Sequence, residues 1–352
     1  MFGPSHYVPV LKVKRAEKSA LQLVAFDLRE QVTPLLEIVE WRKGKKKPTL
    51  ASHLDTAFKD LAKSLVMYPR CFLDARELAP QGPLAAELVF TRAVGAGIPF
   101  IPVTGINRAD ASAALSNRDH GLAIRLTRDE FETGSLSSSL LAFMTRHNIE
   151  VEDTDLILDL GPVEDMVTEG VIRFATQFLG DVPYPSRWRT LTLSASAFPK
   201  SMGIVDRHSH AVVARTEWLA WKRLRDRGQP VRLPTFSDCA IQHPAGVEGF
   251  DPRMMQVSAA VRYALDDSWL LIKGESTKTN PAKKQFPVLA KRLAYAHLHG
   301  HFHGVSHCEG CASIKRAADG QPRLGSAEVW RRIGTVHHIT EVTRTLTSLP
   351  EP

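Results

Sequence analysis

Eight short apolar runs, separated by stretches of helical spacing, constrain this chain more than any other feature. The runs are residues 7–13, 33–39, 70–76, 99–103, 121–127, 155–160, 188–194 and 232–240. Most are bounded by Pro, Gly or charged residues, as parallel strands buried on both faces should be. The intervening segments have the other period. Residues 49–67 place Leu50, Leu54, Phe58, Leu61 and Leu65 along one side of a helix, and 83–95, 167–179 and 216–224 read the same way. Alternating strands and helices predict a parallel sheet covered by helices. Eight strands suit closure, so the expected fold is α/β, a TIM-like (β/α)8 barrel, with an open doubly wound sheet as the alternative.

The pattern changes after Pro244. Runs at 254–263 and 269–274 flank Asp266-Asp267 and read as an antiparallel hairpin. Residues 286–299 read as a helix expected to close the barrel. Residues 326–346 read as a final helix or helix pair, with Ser326 as cap and Glu328 in the first turn. The expected organisation is a βα-barrel core over 1–245. The hairpin, the closing helix and a C-terminal helical segment over 246–352 pack on it as one domain.

Composition narrows the function classes. A chain of 352 residues with 43% hydrophobic content is long enough for one barrel and too apolar for disorder. The formal charge of +7 favours anionic partners, either an anionic small molecule or nucleic acid. No run approaches the roughly 20 apolar residues that span a bilayer, and the N-terminal stretch does not read as a signal peptide. The expectation is a cytoplasmic protein with no membrane partner; no protein partner is indicated. There is no P-loop, no GxSxG elbow, and Gly95-Ala96-Gly97 is too short for a dinucleotide fingerprint.

Several stretches carry a family resemblance. YVPVLKVKRAE at the start, TPLLEIVEW at 33–41, CFLDARE at 71–77, FSDCAIQHP at 236–244, VRYALDDSWLLIKG at 261–274 and VWRRIGTVHHIT at 329–340 occur in one order along the chain. Together they resemble the beta family proteins of bacteria and phages. The resemblance implies a βα-barrel-like fold and a phage-related or defence context, and it brings no established reaction. The chain departs from the family pattern at Cys239, where an aromatic commonly follows the Asp, and in the His- and Cys-rich stretch 297–311.

Four constellations are candidates for chemistry. The first is a set of charges inside the strands. Lys12, Glu37 and Asp74 share strand faces with apolar neighbours, and Arg125, Asp159 and Asp238 sit near strand C-termini. Buried charge is expensive unless paired or ligated, and barrels build their sites at C-terminal strand ends. Glu37, Asp74, Asp159 and Asp238 are therefore candidate catalytic acids or Mg²⁺ ligands, and Lys12 and Arg125 candidate phosphate-binding groups. The bland alternative is an internal ion-pair network that plugs the barrel.

The second is AHLHGHFHGVSHCEGC, where Cys308 and Cys311 with His303 and His307 offer zinc chemistry. A polar surface loop is the alternative. A redox pair is the weaker one, because such pairs want a helix N-terminus. The third is His337-His338, candidate substrate contacts that point in different directions on a helix. One of them is expected to hydrogen-bond into the barrel. The fourth is Arg262, Tyr263, Trp269, Lys273 and Lys278 on the hairpin, where basic and aromatic residues interleave as in a surface that stacks bases. The basic run 42–47 and Arg207, His208 and His210 read as solvated loops, and Cys71 and Cys239 as buried thiols. The function these features point to is a metal- or acid/base-dependent enzyme acting on a phosphorylated or nucleotide-like substrate at the barrel mouth. The alternative is a non-catalytic nucleic-acid- or protein-binding module.

Overall fold

The computed structural model describes residues 2–43, 49–228, 232–246 and 257–350. Most of the basic run at 42–47 and the start of the run at 254–263 lie outside the described residues.

All eight runs form strands: β1 (Tyr7–Lys12), β2 (Leu35–Glu37), β3 (Cys71–Asp74), β4 (Phe100–Thr104), β5 (Leu122–Thr127), β6 (Thr154–Pro162), β7 (Thr190–Ser196) and, later in the chain, β9 (Thr235–Asp238). They pair in parallel in the order β1-β2-β3-β4-β5-β6-β7-β9, and β9 returns to β1 to close the barrel. The closed sheet replaces the open doubly wound alternative.

Two apolar layers follow from the alternation of side chains along each strand. Inside the barrel, Val8, Val10, Leu35, Phe72, Ile101, Val103, Ala123 and Ile157 form one buried cluster. Outside, a larger core joins the opposite strand faces to the surrounding helices. The barrel interior is not apolar all round. Ser237 pairs with Val8, and Ser194 with Ser237, so the inner faces of β7 and β9 carry hydroxyls. At the N-terminal end Asp155 is held by Arg189 at 2.6 Å and Thr190 at 2.7 Å. An ion pair at that end of a barrel contributes to stability rather than chemistry.

The C-terminal segment differs from expectation in two respects. The hairpin is present as β10 (Ser258–Ala264) and β11 (Ser268–Ser276), but β8 (His210–Ala214) pairs antiparallel with β11 to make a three-stranded sheet. His210 thus lies on an edge strand rather than in a loop. The helix Ala282–Ala294, expected to close the barrel, packs instead on the hairpin sheet and on the helix Glu309–Ala318. The position between β9 and β1 is filled by the C-terminal helix (Ala327–Ser348), which lies against the helix Arg15–Leu23 and against β10. It is one continuous helix, and Ser326 Oγ accepts from the amide of Val329 at 3.2 Å as its cap. Gly334 permits its close approach: a Cβ there would stand 2.8 Å from the Arg262 carbonyl and from Ile241.

Candidate functional site

Three strands end side by side in register. Lys12 pairs with Glu37, and Glu37 with Asp74. Neighbours in a parallel pair share a face, so all three side chains enter the barrel at its C-terminal mouth. Arg125 of β5 and Asp159 of β6 join them. Arg125 Nη1 donates to Glu37 Oε1 at 2.7 Å and to Asp74 Oδ2 at 2.9 Å. Its Nε and Nη2 donate to Asp159 Oδ2 at 3.0 and 2.7 Å. Lys12 Nζ lies 2.7 Å from Glu37 Oε2 and also bonds Glu77. Five of the six strand charges therefore gather at one point.

Their electrostatics limit what they can do. Burial pushes Glu37 up, but Arg125, Lys12 and Arg76 outweigh it and hold the carboxyl at about 2. Asp74 is also pushed up by burial, yet Arg108 and Arg125 hold it below the usual carboxylate range. Both are ionised near neutrality and poorly matched to general-base work, which wants a pKa near the operating pH. The guanidinium of Arg125 also stands among the three carboxylates, where its charge opposes a divalent cation. The geometry therefore makes these acids holders of Arg125.

Two further arginines, not singled out in the sequence, complete the mouth. Arg108, in the loop after β4, bonds Asp74 at 2.6 Å and also Asp110. Arg76, just after β3, reaches Asp159 Oδ2 only at 3.3 Å and lies 4.0 Å from Glu37; its side chain is 38% exposed. Arg76, Arg108, Arg125, Asp110, Thr127 and Glu130 line a cleft of about 370 Å³. The same rim carries a His–Glu pair that sequence reasoning also missed. Glu164 follows β6, His243 follows β9, and His243 Nε2 is 2.9 Å from Glu164 Oε1. The signal for His243 was its place in the IQHP stretch; Arg76 and Arg108 had only their position after a strand.

The structure does not bring Asp238 to the mouth. Ser237 faces inward with Val8, so Asp238 and Phe236 face the outer layer. There Tyr7 OH donates to Asp238 Oδ1 at 2.5 Å, and His338 Nε2 is 2.9 Å from Oδ2. Arg215 Nη2 lies 3.6 Å away, with its guanidinium between the rings of Trp218 and Trp269. Burial pushes Asp238 up, but His338, Arg215 and Tyr7 hold it below the usual range. Burial lowers His338 against the pull of Asp238. The result is one buried carboxylate met by an imidazole and by a donating phenol. Next to them burial lifts Glu217 to about 7, against Arg215.

His337 points elsewhere. Its Nε2 lies 2.8 Å from the Ala264 carbonyl, and its Nδ1 is 3.4 Å from Cys311 Sγ and 3.7 Å from Cys308 Sγ. His303 and His307 meet Glu341 Oε2 at 3.3 and 3.2 Å. The expected set of Cys308, Cys311, His303 and His307 is thus divided: the two sulfurs group with His337, and His303 and His307 group with each other, His337 and nearby Glu341. Cys308 also caps the helix Glu309–Ala318, its sulfur accepting from the Cys311 amide at 3.3 Å. The helix N-terminus whose absence disfavoured a redox pair is present.

The hairpin residues are not at the mouth. Tyr263 and Trp269 are fully buried, so neither offers a stacking face. Arg262 lies over Phe198, Lys273 bonds the Val205 carbonyl at 2.7 Å, and Lys278 is exposed beyond them. Among the described residues no helix is long and apolar enough to cross a membrane.

Four of the six stretches that carried the resemblance meet at one seam. Asp238, His338, Tyr7 and Trp269 come from four separate stretches and form one buried network. No curated protein matches the chain. The family model described as Beta protein matches residues 7–344, nearly the whole chain. This chain, a closed eight-stranded parallel barrel with an antiparallel sheet beside it, belongs to the Beta protein family.

Proposed function

We propose that the chain is a barrel enzyme whose mouth binds a phosphorylated or nucleotide-like small molecule. Arg76 and Arg108 hold the anionic group, and His243, oriented by Glu164, moves the proton. One observation carries the reading: Arg76 has five N–H donors, one long side-chain hydrogen bond at 3.3 Å, and a partly open side chain facing the cleft. The carboxylates beside it are already engaged by Arg125, so an incoming phosphate or carboxylate is the natural partner for the remaining donors. Arg125 itself is fixed by three carboxylates and supplies a preorganised positive charge. The cleft has the size of a small-molecule site. His243, held at 2.9 Å from Glu164, gives the rim an imidazole, the side chain most often used to transfer a proton.

Calorimetric titration of the full chain with inorganic phosphate and with nucleoside mono- and diphosphates tests this. Binding by the wild type, weakened about tenfold or more in Arg76→Gln, is the expected result. His243→Gln should bind as the wild type does. A wild type that takes none of these ligands, or an Arg76→Gln variant that binds them equally well, overturns the reading. Binding of oligonucleotides alone would instead favour a nucleic-acid module.

A further inference from the structure

We propose that Cys308, Cys311 and His337 hold a zinc ion, with His303, His307 and Glu341 beside it. The donors come from three separate elements: the segment before the helix Glu309–Ala318, that helix's first turn, and the middle of the C-terminal helix. The ligand atoms of Cys308, Cys311 and His337 lie within 4.8 Å of one another, and so do those of His303, His307 and His337.

Distances favour a tetrahedral ion. Zinc–sulfur and zinc–nitrogen bonds of about 2.3 and 2.0–2.1 Å set a tetrahedral S···N edge of roughly 3.5–3.6 Å. The observed separations from His337 Nδ1 are 3.4 Å to Cys311 and 3.7 Å to Cys308.

The hydrogen bonds prepare the ligand atoms. The Ala264 carbonyl, 2.8 Å from His337 Nε2, can only accept. Nε2 therefore carries the proton, and the Nδ1 lone pair faces the two sulfurs, the second-shell arrangement of metal-bound histidine. Glu341 Oε2 lies 3.3 Å from His303 Nδ1, placing a carboxylate beside the cluster. His307 Nδ1 lies 3.5 Å from Arg344, and its buried Nε2 stands 3.2 Å from Glu341 without a hydrogen bond. Tyr263 OH stands 3.3 Å from Cys311 Sγ as a donor to a thiolate and accepts from the His303 amide at 3.0 Å.

Gly310, between the cysteines, makes the assembly sterically possible. A Cβ there would lie 2.6 Å from the Ile333 carbonyl and 3.2 Å from His337. The same Cys pair at a helix N-terminus could support dithiol–disulfide chemistry. Three imidazoles and a carboxylate around it are a ligand set that such chemistry does not need. The ion would tie both helices to β10, beside the His338–Asp238 contact.

The test uses the full chain purified under reducing conditions without chelator. Elemental analysis should find about one zinc per chain, as a thiolate–imidazole site holds. Chelation should lower the wild-type Tm and zinc should restore it. Cobalt should give the absorption of a thiolate-bound tetrahedral ion. Cys308→Ser, altering a half-buried residue, should lose the cobalt spectrum. Zinc-free reduced protein that takes up neither metal overturns the proposal. So does an unchanged spectrum in Cys308→Ser, or a Cys308–Cys311 disulfide with a Tm indifferent to metal.

Discussion

His338 Nε2 lies 2.9 Å from Oδ2 of Asp238, and both residues are almost wholly excluded from solvent. The contact joins the last barrel strand to the C-terminal helix across 100 residues of chain. Tyr7 donates to Asp238 as well and Arg215 stands 3.6 Å away, so one buried carboxylate gathers three side chains from distant parts of the chain. Removing Asp238 leaves the Arg215 charge buried with little compensation. Asp238→Ala should therefore lose about 3–5 kcal/mol in urea unfolding. Tyr7→Phe, which deletes one hydrogen bond to a charged group, should lose about 1.5–3 kcal/mol.

Glu217 gives this seam a pH dependence. Its folded-state pKa is raised to about 7 by burial, above the ordinary 4.5. A group raised on folding favours the native state below its unfolded pKa, and that advantage fades as pH rises through the folded value. The wild type should lose a few kcal/mol between about pH 4.5 and 7 from this residue. Glu217→Gln should flatten that part of the stability–pH curve measured by chemical unfolding.

At the mouth the sign reverses. Glu37 is held at about 2 against burial, mainly by Arg125 and Lys12. Its contribution is complete above the unfolded carboxylate range and is lost as pH falls from about 4.5 to 2. Acid unfolding monitored by circular dichroism should therefore begin at higher pH in Arg125→Met, which frees three buried carboxylates. Its loss at neutral pH should be about 3–5 kcal/mol.

Arg76 should behave differently from Arg125. Its two long ion pairs and partly open side chain place it among exposed charges that contribute about 0–1 kcal/mol. Arg76→Gln should unfold within about 0.5 kcal/mol of the wild type. An Arg76→Gln loss as large as that of Arg125→Met would make Arg76 part of the scaffold.

Gly310→Val should destabilise by about 1–3 kcal/mol, because the added side chain meets the backbone of the C-terminal helix. The same substitution at exposed Gly300, where no heavy atom lies within 4 Å, should cost far less in thermal unfolding.

Sequence periodicity narrowed the fold to a closed barrel or an open doubly wound sheet. Eight apolar runs with helical spacers leave few packings that bury both strand faces, and the closed parallel sheet is one of them. The same pattern placed Lys12, Glu37, Asp74, Arg125 and Asp159 near one rim, because charge inside a buried strand must find partners. Cys308 and Cys311 announced their cluster by spacing.

Which way Asp238 faces was decided by tertiary register. A strand buried on both faces is apolar on both, so its sequence does not mark inside from outside, and a shift of one residue exchanges them. Phe236 could have filled the barrel; the pairing of Ser237 with Val8 turned it and Asp238 outward. The edge strand His210–Ala214 was hidden for a related reason. Its partner β11 lies more than fifty residues on, and its own alternation is half exposed. His337 and His338 adjoin in the chain yet serve two sites, a thiol pair and a barrel carboxylate. Helical geometry separates neighbouring side chains, and only the packing of the C-terminal helix between barrel and hairpin gave each its partner.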